Sequence, residues 1–433
     1  MALPDEFETI ASLREYEKDF GPLRVMLLMD SKLRNTKDFS KIKGLDIYET
    51  CDFSNQAKIA ETLLKYEGEI LAVTCRAERY ISRFMQVLPN LPYLRTPSTE
   101  SLKWAKDKYE MRKRLKLYNP KLTPKFTWVK KNSKIERDRV IKKIGFPIIV
   151  KPTNSAASRF VTICYHEEEF EKTLRTIFRS LKQINSDNTN YEVTKVIAEQ
   201  YMEGDMYSID SYVNSRGAVS HCPLVKVTTG KNIGHDDFYN YLQMTPTAFK
   251  VETVRKAERA AESAIHALGL RSTTAHTELM KIDDEWKIIE IGARVGGFRH
   301  LLHKLSCGIN HTLNDVLVRI PKKPIIPKKC QGYSCAIKWF ADKEGYISEF
   351  KGIKKIEQLE SFHSVKVNKK IGDRAIFARN GGVSIFNLFL YNADRSKLLA
   401  DIRRVEKLVD VKVVSKNGIS NKVKKTAIKK KSN

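Results

Sequence analysis

Short apolar runs alternate with amphipathic segments along the first hundred residues. Residues 23–29 and 70–73 are apolar stretches of strand length, and residues 55–66 between them carry apolar side chains at helical spacing. Alternation of this kind is typical of a parallel sheet flanked by helices. The pattern predicts an amino-terminal parallel α/β domain over residues 1–100.

The same alternation continues through a longer central stretch. A helix is predicted from Pro97 to about residue 117, because Pro97 and Ser98 form a helix start and Pro120 ends the pattern. A compact α/β unit is then expected over residues 125–203, followed by further strands and a long amphipathic helix over 251–268. We assign residues 101–325 to one central domain, of which residues 125–203 form a smaller subdomain.

The carboxyl-terminal part is divided by proline and by charge. Residues 321–327 contain three prolines and predict a linker, which precedes a separate, small α+β domain over residues 326–410. Residues 411–433 contain eight lysines and no acid, so we expect a disordered basic tail. The predicted fold class is therefore α/β, with three domains.

Composition limits the class of protein further. With 42% hydrophobic and 30% charged residues, and no apolar run of about 20 residues, the chain predicts a soluble protein without a membrane span. The first residues are acidic and polar, which argues against a secretory signal. Seven dispersed cysteines without a CxxC pair predict reduced thiols and a cytoplasmic location.

The formal net charge of +27 allows two interpretations. A basic field attracts phosphates, which is typical of nucleic-acid-binding proteins. The same charge also fits a lysine-rich surface that attracts small anionic substrates. We favour the second interpretation and disfavour a nucleic-acid partner, because the charge is spread along the whole chain without a zinc-finger, RNP or helix-turn-helix signature.

The strongest chemical signal is a β-hairpin with two glutamates. A three-residue turn at 283–285 would pair Ile282 with Trp286, and Glu278 would then lie opposite Glu290. Directly opposed side chains lie about 5 Å apart on one face of the sheet, where two carboxylates repel each other unless a cation lies between them. Oxygen ligands suit Mg²⁺, which Mn²⁺ could replace. The alternative is an exposed hairpin with acids on its wet face, which the apolar neighbours disfavour.

A cation and a glycine pair follow this hairpin. Arg294 comes four residues after Glu290, and a permanently charged guanidinium beside a metal suits phosphoryl transfer. Gly296 and Gly297 would let backbone amides approach an anion, although a plain turn explains them equally well.

These residues resemble the metal-binding end of the ATP-grasp superfamily. Three upstream segments match in the family's order, namely Asp107-Lys108, the strand that ends near Lys151, and the hinge that begins at Glu199. The resemblance as a whole covers about residues 20–410. The resemblance is nearest to the carboxylate–amine ligases that join amino acids into dipeptides. It implies an ATP-grasp fold in which residues 125–203 form a mobile lid.

The resemblance also implies roles for individual residues and substrates. ATP and Mg²⁺ would be bound between the lid and the sheet, a substrate carboxylate would be phosphorylated, and an amine would displace phosphate from the acyl phosphate. Arg294 and Lys151 would neutralise the transferring charge, and Glu278 and Glu290 would bind the metal. The nucleotide would contact Lys108, Lys151, Ser155, Ser158, Glu199, Tyr201, Met202 and Asp205.

Two departures from the family pattern keep other functions open. The phosphate loop, residues 153–159, is not glycine-rich, and Gly292 stands where many members have asparagine. An ATP-grasp enzyme of purine synthesis or bicarbonate activation, or a nucleotide-binding protein without catalysis, therefore stays an alternative. A homodimer is also left open.

Basic residues near the hairpin are candidates for contacts with the substrate. His276 shares a strand face with Glu278, although a packed histidine explains it equally well. Arg299, His300 and His303 follow the glycine pair and could hold the substrate carboxylate, or could simply lie on a polar helix surface.

Overall fold

The computed structural model describes residues 6–32, 42–154, 159–186, 195–235 and 237–416. Within these residues four sheets are present, of two, three, four and nine strands. The largest hydrophobic cluster lies between the nine-stranded sheet and the helices that cover it. Ser155, Ser158 and residues 417–433 of the predicted tail lie outside the described residues.

The amino-terminal unit confirms the predicted parallel pairing. Strands β1 (Met26–Asp30) and β2 (Ile47–Cys51) are parallel neighbours. The strand predicted at 70–73 is wrong: this segment is irregular, and Ile70 and Val73 instead pack against the apolar cluster beneath the two strands. The helices of this unit are α1 (Glu6–Arg14), α2 (Tyr16–Phe20), α3 (Gln56–Leu64) and α4 (Ile81–Val87).

The helix predicted from Pro97 to residue 117 is two helices, α5 (Thr99–Lys106) and α6 (Lys108–Tyr118). Asp107 interrupts it with an extended backbone, φ −96° and ψ 111°, and its side chain accepts hydrogen bonds from the amides of Tyr109 and Glu110. This is an N-cap, which starts a new helix by satisfying its first amides. The cap places Lys108 at the first position of α6.

The subdomain predicted over 125–203 is a four-stranded sheet with two helices on it, and we call it the lid. Its strand order is β3-β6-β4-β5, and every pairing is antiparallel. A dry core of aliphatic side chains and Phe170 joins the sheet to the helices. Its elements are β3 (Phe126–Val129), α7 (Lys134–Ile144), β4 (Ile148–Pro152), β5 (Thr162–Cys164), α8 (Glu167–Ser186) and β6 (Val196–Gln200).

The nine-stranded sheet has the order β12-β11-β7-β9-β10-β13-β17-β15, with β8 attached to β7. Helix α9, predicted over 251–268, covers it with an alanine-rich face. The elements of its first part are β7 (Asp205–Val213), β8 (Val219–His221), β9 (Val225–Thr229), β10 (Asn240–Thr245), α9 (Val251–Ala267), β11 (Thr273–Ile282), β12 (Glu285–Gly292), α10 (Arg299–Cys307) and α11 (His311–Leu317).

The carboxyl-terminal part, predicted as a small α+β domain, shares a sheet with the central part. Strand β13 pairs with β10, so the chain beyond the linker continues the central sheet. The predicted tail also starts too early, since residues up to Val414 form a strand paired with β14. The remaining elements are β13 (Tyr333–Trp339), β14 (Gly345–Lys351), α12 (Ile353–Ile356), β15 (Phe362–Val367), β16 (Arg374–Ala375), β17 (Phe386–Asn392), α13 (Arg395–Leu408) and β18 (Asp410–Val414).

The prediction that all cysteines are reduced thiols is also wrong for one pair. Cys307 at the end of α10 and Cys330 after the linker form a disulfide. The fold brings them together because α11 and the linker turn back on α10, a contact that sequence spacing does not reveal. Among the described residues, no helix is long and apolar enough to cross a membrane.

Candidate active site

Glu278 and Glu290 lie directly opposite each other across the β11–β12 hairpin. The prediction of their pairing is confirmed, but the route to it differs. The turn has two residues, since Ile282 pairs with Glu285, and the register then shifts between Leu279 and Glu278. Ile289 is the extra residue of a β-bulge, which restores the opposition that the shorter turn would have removed.

Both predicted lysines contact carboxylates of the site. Lys108 Nζ lies 3.1 Å from Glu290 Oε1, and Lys151 Nζ lies 2.8 Å from Glu199 Oε2. The amide of Lys108 also donates to the carbonyl of Thr153, at the start of the predicted phosphate loop. Helix α6, the lid and the hairpin therefore converge on one group of charges.

Arg112 is a member of this group that the sequence analysis missed. Its guanidinium is fully buried and binds Glu199 through both Nε and Nη2, at 2.8 and 3.0 Å. The signal in the sequence was its spacing: Arg112 follows Lys108 by four residues, and such residues lie on the same helix face.

The charges on Glu199 decide its protonation. Burial raises the pKa of the Glu199 carboxyl, but the neighbouring charges of Arg112 and Lys151 outweigh it and bring the pKa to about 2. Burial lowers the pKa of Lys151, while Glu199 opposes that shift. Glu199 is thus an anion that is already bound by two cations, and any hydrogen bond to adenine would be an additional one.

A second buried group, centred on Asp210, supports the hairpin from the adjacent strand β7. Asp210 accepts hydrogen bonds from the amide of Gly296 at 2.7 Å and from His276 at 3.2 Å, and Arg299 lies 3.5 Å away. The anion that the Gly296 amide approaches is therefore the protein's own carboxylate. A β-carbon at Gly296 would lie 2.4 Å from His276 Nδ1, which explains the glycine.

His276 forms a link between this group and the glutamate pair. Its Nε2 lies 3.6 Å from Glu278 Oε1, and both residues are largely buried. Burial lowers the pKa of His276, but the charge and hydrogen bond of Asp210 raise it by more than burial lowers it. The net shift of the His276 pKa is therefore upward. For Glu278, burial raises the pKa, because it disfavours the charged carboxylate. His276 and Arg294 more than offset this effect, so the net shift of the Glu278 pKa is downward. Glu278 is thereby kept ionised.

Arg294 lies beyond the end of β12 and is bound by Glu78 of the amino-terminal unit, with Nε 2.8 Å from Oε2. A β-carbon at Gly292 would lie 3.3 Å from the same Glu78 oxygen. The small residue at 292 thus leaves room for a carboxylate from another domain. Nothing in the sequence around Glu78 indicated this contact.

Other residues with predicted nucleotide roles lie at the edge of the lid. The amide of Tyr201 donates to the carbonyl of Pro147 at 3.1 Å, so that donor is engaged within the protein. Asp205 begins β7 and is exposed, 3.9 Å from Lys226. The nucleotide contacts of Tyr201, Met202 and Asp205 stay predictions.

The basic residues of α10 are separated by the fold. Arg299 is buried against Asp210, Ser208 and Gln243, so its charge supports the site from within the protein. His300 lines a cleft of about 200 Å³ together with Arg76 and Lys304. Neither Glu278 nor Glu290 lines this cleft.

His303 cannot bind a substrate because it is fully buried and both ring nitrogens are engaged. Its Nε2 lies 3.0 Å from the carbonyl of Pro223, and its Nδ1 lies 2.8 Å from His311 Nε2. Since a carbonyl only accepts, His303 Nε2 is the donor and His311 donates to Nδ1. Tyr212 then donates to His311 Nδ1 at 2.7 Å. Cys222 lies near these rings in a metal-like cluster, but the hydrogen-bond chain satisfies them as neutral groups.

The glutamate pair and its surroundings fit a divalent metal with a polyphosphate. Two carboxylates supply hard oxygen ligands on one sheet face, and the cations Lys108 and Arg294 lie beside them. A family model described as the ATP-grasp domain matches residues 144–300, which include the lid's second half and the whole hairpin. The chain contains an ATP-grasp domain.

Relatives and solved structures agree with this domain. Alanine–anticapsin ligase of Bacillus subtilis is 26% identical over 253 residues, which are 56% of this chain and 52% of the relative. D-alanine–D-alanine ligase of Flavobacterium johnsoniae is 20% identical over 39% of this chain and 49% of its own length. This chain thus spans about half the length of the curated relatives it matches.

One solved structure resembles nearly the whole chain. The L-amino acid ligase from Bacillus licheniformis superposes with a TM-score of 0.76, covering 95% of this chain and 96% of its own, at 18% identity. At this identity the likeness concerns the fold, and the ATP-grasp fold accounts for the lid, the hairpin and the continuous sheet.

Proposed function

We propose that this protein is an ATP-dependent carboxylate–amine ligase that forms an amide through an acyl phosphate and releases ADP and phosphate. The observation that carries the proposal is the opposed pair Glu278–Glu290 with Lys108 bound to it and Arg294 beside it. These charges suit the transfer of a phosphoryl group from a metal-bound nucleotide to a carboxylate. Curated relatives that act as ligases support the same choice.

Each residue has a role that its position supports. Lys108 and Lys151 are buried cations on α6 and on the lid, and they would hold the phosphates of the bound nucleotide. Arg294, which is partly exposed, would stabilise negative charge on the group in transfer. Glu78 restrains Arg294 and so limits its orientation. His276 keeps Glu278 ionised and in place.

Glu278 and Glu290 would bind Mg²⁺, which when bound neutralises phosphate charge. The lid carries Lys151 and Glu199 on its inner strands and is attached to α6 through Arg112. Closure of the lid over the nucleotide would exclude water, which would otherwise hydrolyse an activated carboxylate.

The substrates are a small carboxylate and a small amine, and an amino acid could supply either. We would measure phosphate release from ATP across pairs of amino acids, with mass detection of the condensed product. The proposal requires that release depends on a carboxylate and rises strongly with the correct amine. Bicarbonate-dependent release would favour an enzyme of the bicarbonate-activating class instead. Stabilisation by MgATP without any turnover would indicate a nucleotide-binding protein.

A further inference from the structure

Arg112 binds two parts of the active site at once. Its Nε and Nη2 contact Glu199 of the lid, while its Nη1 donates to the carbonyl of Ile288 at 2.6 Å and its Nη2 donates to the carbonyl of Ile289 at 2.9 Å. The lid and the hairpin are thus joined through a single fully buried side chain.

The two carbonyls belong to the bulge that sets the glutamate pairing. Ile288 pairs with Leu279, Ile289 is the extra residue, and pairing resumes at Glu290 with Glu278. A bulge interrupts the ladder of backbone hydrogen bonds, and buried carbonyls left by it need another donor. Arg112 supplies those donors at the two residues that immediately precede Glu290.

Only arginine has the shape for these contacts. Its planar fork carries five N–H donors, which here serve a carboxylate on one side and two carbonyls on the other. A lysine at this position could balance the charge of Glu199, but it could not keep both carbonyls of the bulge in place.

We propose that Arg112 is a positioning residue, which sets the position of Glu290 through the β12 bulge and connects this carboxylate to Glu199 of the lid. The inference rests on the proposed function, because the role of Glu290 in metal binding is part of it. It adds that the affinity for the metal depends on a side chain that touches neither metal nor nucleotide.

The test compares three variants in the full chain: Arg112→Lys, Glu199→Gln and the control Arg114→Lys. Arg114 lies on the same helix, stacked on Trp104 at 3.7 Å. Binding of Mn²⁺ is measured by the loss of its free EPR signal at saturating ADP, and binding of ADP is measured separately. We expect Arg112→Lys to raise the Kd for Mn²⁺ by about 10-fold or more, as is typical when support for a metal ligand is lost.

Glu199→Gln separates the two connections of Arg112. This variant changes the contact of Arg112 with the lid but leaves its hydrogen bonds to the carbonyls of Ile288 and Ile289. It should therefore weaken ADP binding without changing the Kd for Mn²⁺ at saturating ADP. The inference is overturned if Arg112→Lys weakens ADP binding only, like Glu199→Gln, or if it behaves like Arg114→Lys.

Folding is checked by circular dichroism and thermal unfolding of every variant. If Arg112→Lys and a second variant, Arg112→Gln, both fail to fold while Arg114→Lys folds, Arg112 is a structural residue and the positioning role is rejected. If the wild-type protein itself binds no Mn²⁺ with ADP, the proposed function fails, and the inference fails with it. If the wild-type protein binds Mn²⁺ normally and Arg112→Lys binds it with the same Kd, only the inference about Arg112 fails.

Discussion

Lys108 Nζ lies 3.1 Å from Glu290 Oε1, although 182 residues separate them along the chain. Asp107 makes this contact possible, because its cap starts α6 at Lys108 and aims the helix toward the hairpin. The contact partly neutralises a carboxylate that already faces Glu278. Under the proposed function, the charge of Glu290 would therefore be shared between the metal and the lysine that binds phosphate.

Replacing Glu290 by glutamine should reduce turnover by about 100-fold or more while leaving the fold intact. The amide keeps the size of the side chain and can still accept from Lys108, but it lacks the charge that would bind the metal. Phosphate release over a range of Mg²⁺ concentrations measures the effect. Glu285→Gln, on the exposed end of the same hairpin, is the control and should resemble the wild type. Normal turnover of Glu290→Gln at low Mg²⁺ would exclude Glu290 as a ligand.

Lys151→Ala and Arg294→Ala should fail in different ways. Lys151 is buried against Glu199 and would act on the phosphates of bound ATP, so its loss should weaken both ATP binding and turnover. In the proposed function Arg294 would act on the group in transfer, so its loss should reduce kcat more than ATP affinity. ATP binding by calorimetry and kcat by phosphate release separate the two. Lys143→Ala, exposed on α7, is the control. Equal losses of binding, with no further loss of rate, would contradict these separate roles.

The two adjacent glycines should respond differently to alanine. A β-carbon at Gly296 would lie 2.4 Å from His276 Nδ1, whereas one at Gly297 would meet nothing within 4 Å. Gly296→Ala should lower the free energy of unfolding by about 1–3 kcal/mol and should also impair turnover, because it displaces His276. Gly297→Ala should change the free energy of unfolding by less than about 0.5 kcal/mol. Chemical denaturation of both variants tests this, and similar losses would contradict the geometry.

Acid should destabilise the protein through His303. Burial lowers the pKa of His303 to about 4, below the ordinary 6.5, so the unfolded chain binds its proton first as the pH falls. Its contribution is fully present above about pH 6.5 and is lost progressively toward pH 4, up to about 3 kcal/mol at 1.36 kcal/mol per pKa unit.

The measurement is urea unfolding between pH 7 and pH 4.5 for three proteins. His303→Gln should show a shallower loss of stability with acid than the wild type, because one buried neutral imidazole is gone. His166→Gln, which removes an exposed histidine of the lid, is the control. Parallel curves for the wild type and His303→Gln would contradict the assignment.

Two truncations at the carboxyl terminus should have different effects on stability. Removing residues 417–433 should leave turnover and stability unchanged, whereas removing residues 409–433 also removes β18. Val411 and Val413 of that strand pack against the core of the carboxyl-terminal part, so their loss should cost about 2 kcal/mol or more. Thermal unfolding and phosphate release measure both. Loss of activity in the shorter truncation would place the lysine-rich segment in the site.

Local patterns were enough to predict most individual elements. The lid strands, α7 and α9 follow from apolar spacing over a few residues, and the Glu278–Glu290 pair follows from one hairpin. Even there the turn was predicted one residue too long, and a bulge at Ile289 corrected the register. The pairing was right because side-chain alternation and burial fix which face each glutamate occupies.

By itself, the sequence determined the order of the elements, the opposed glutamates and the lysines that match the family. The tertiary structure alone decided the partners of these residues. Arg112 on Glu199, Glu78 on Arg294 and Asp210 beneath His276 are contacts between residues that lie 66 to 216 positions apart in the chain. Their distances along the chain carry no periodic signal, because they arise from the packing of separate elements.

The separation along the chain is 87 residues for Arg112 and Glu199 and 66 residues for His276 and Asp210. Contacts of this kind form only when whole helices and strands pack, so neither residue's neighbours in the sequence indicate its partner. The same reason explains the extra strands of the central sheet, since β10 and β13 pair across the linker. Local periodicity determined the elements of this protein, and long-range packing determined which charges meet in its active site.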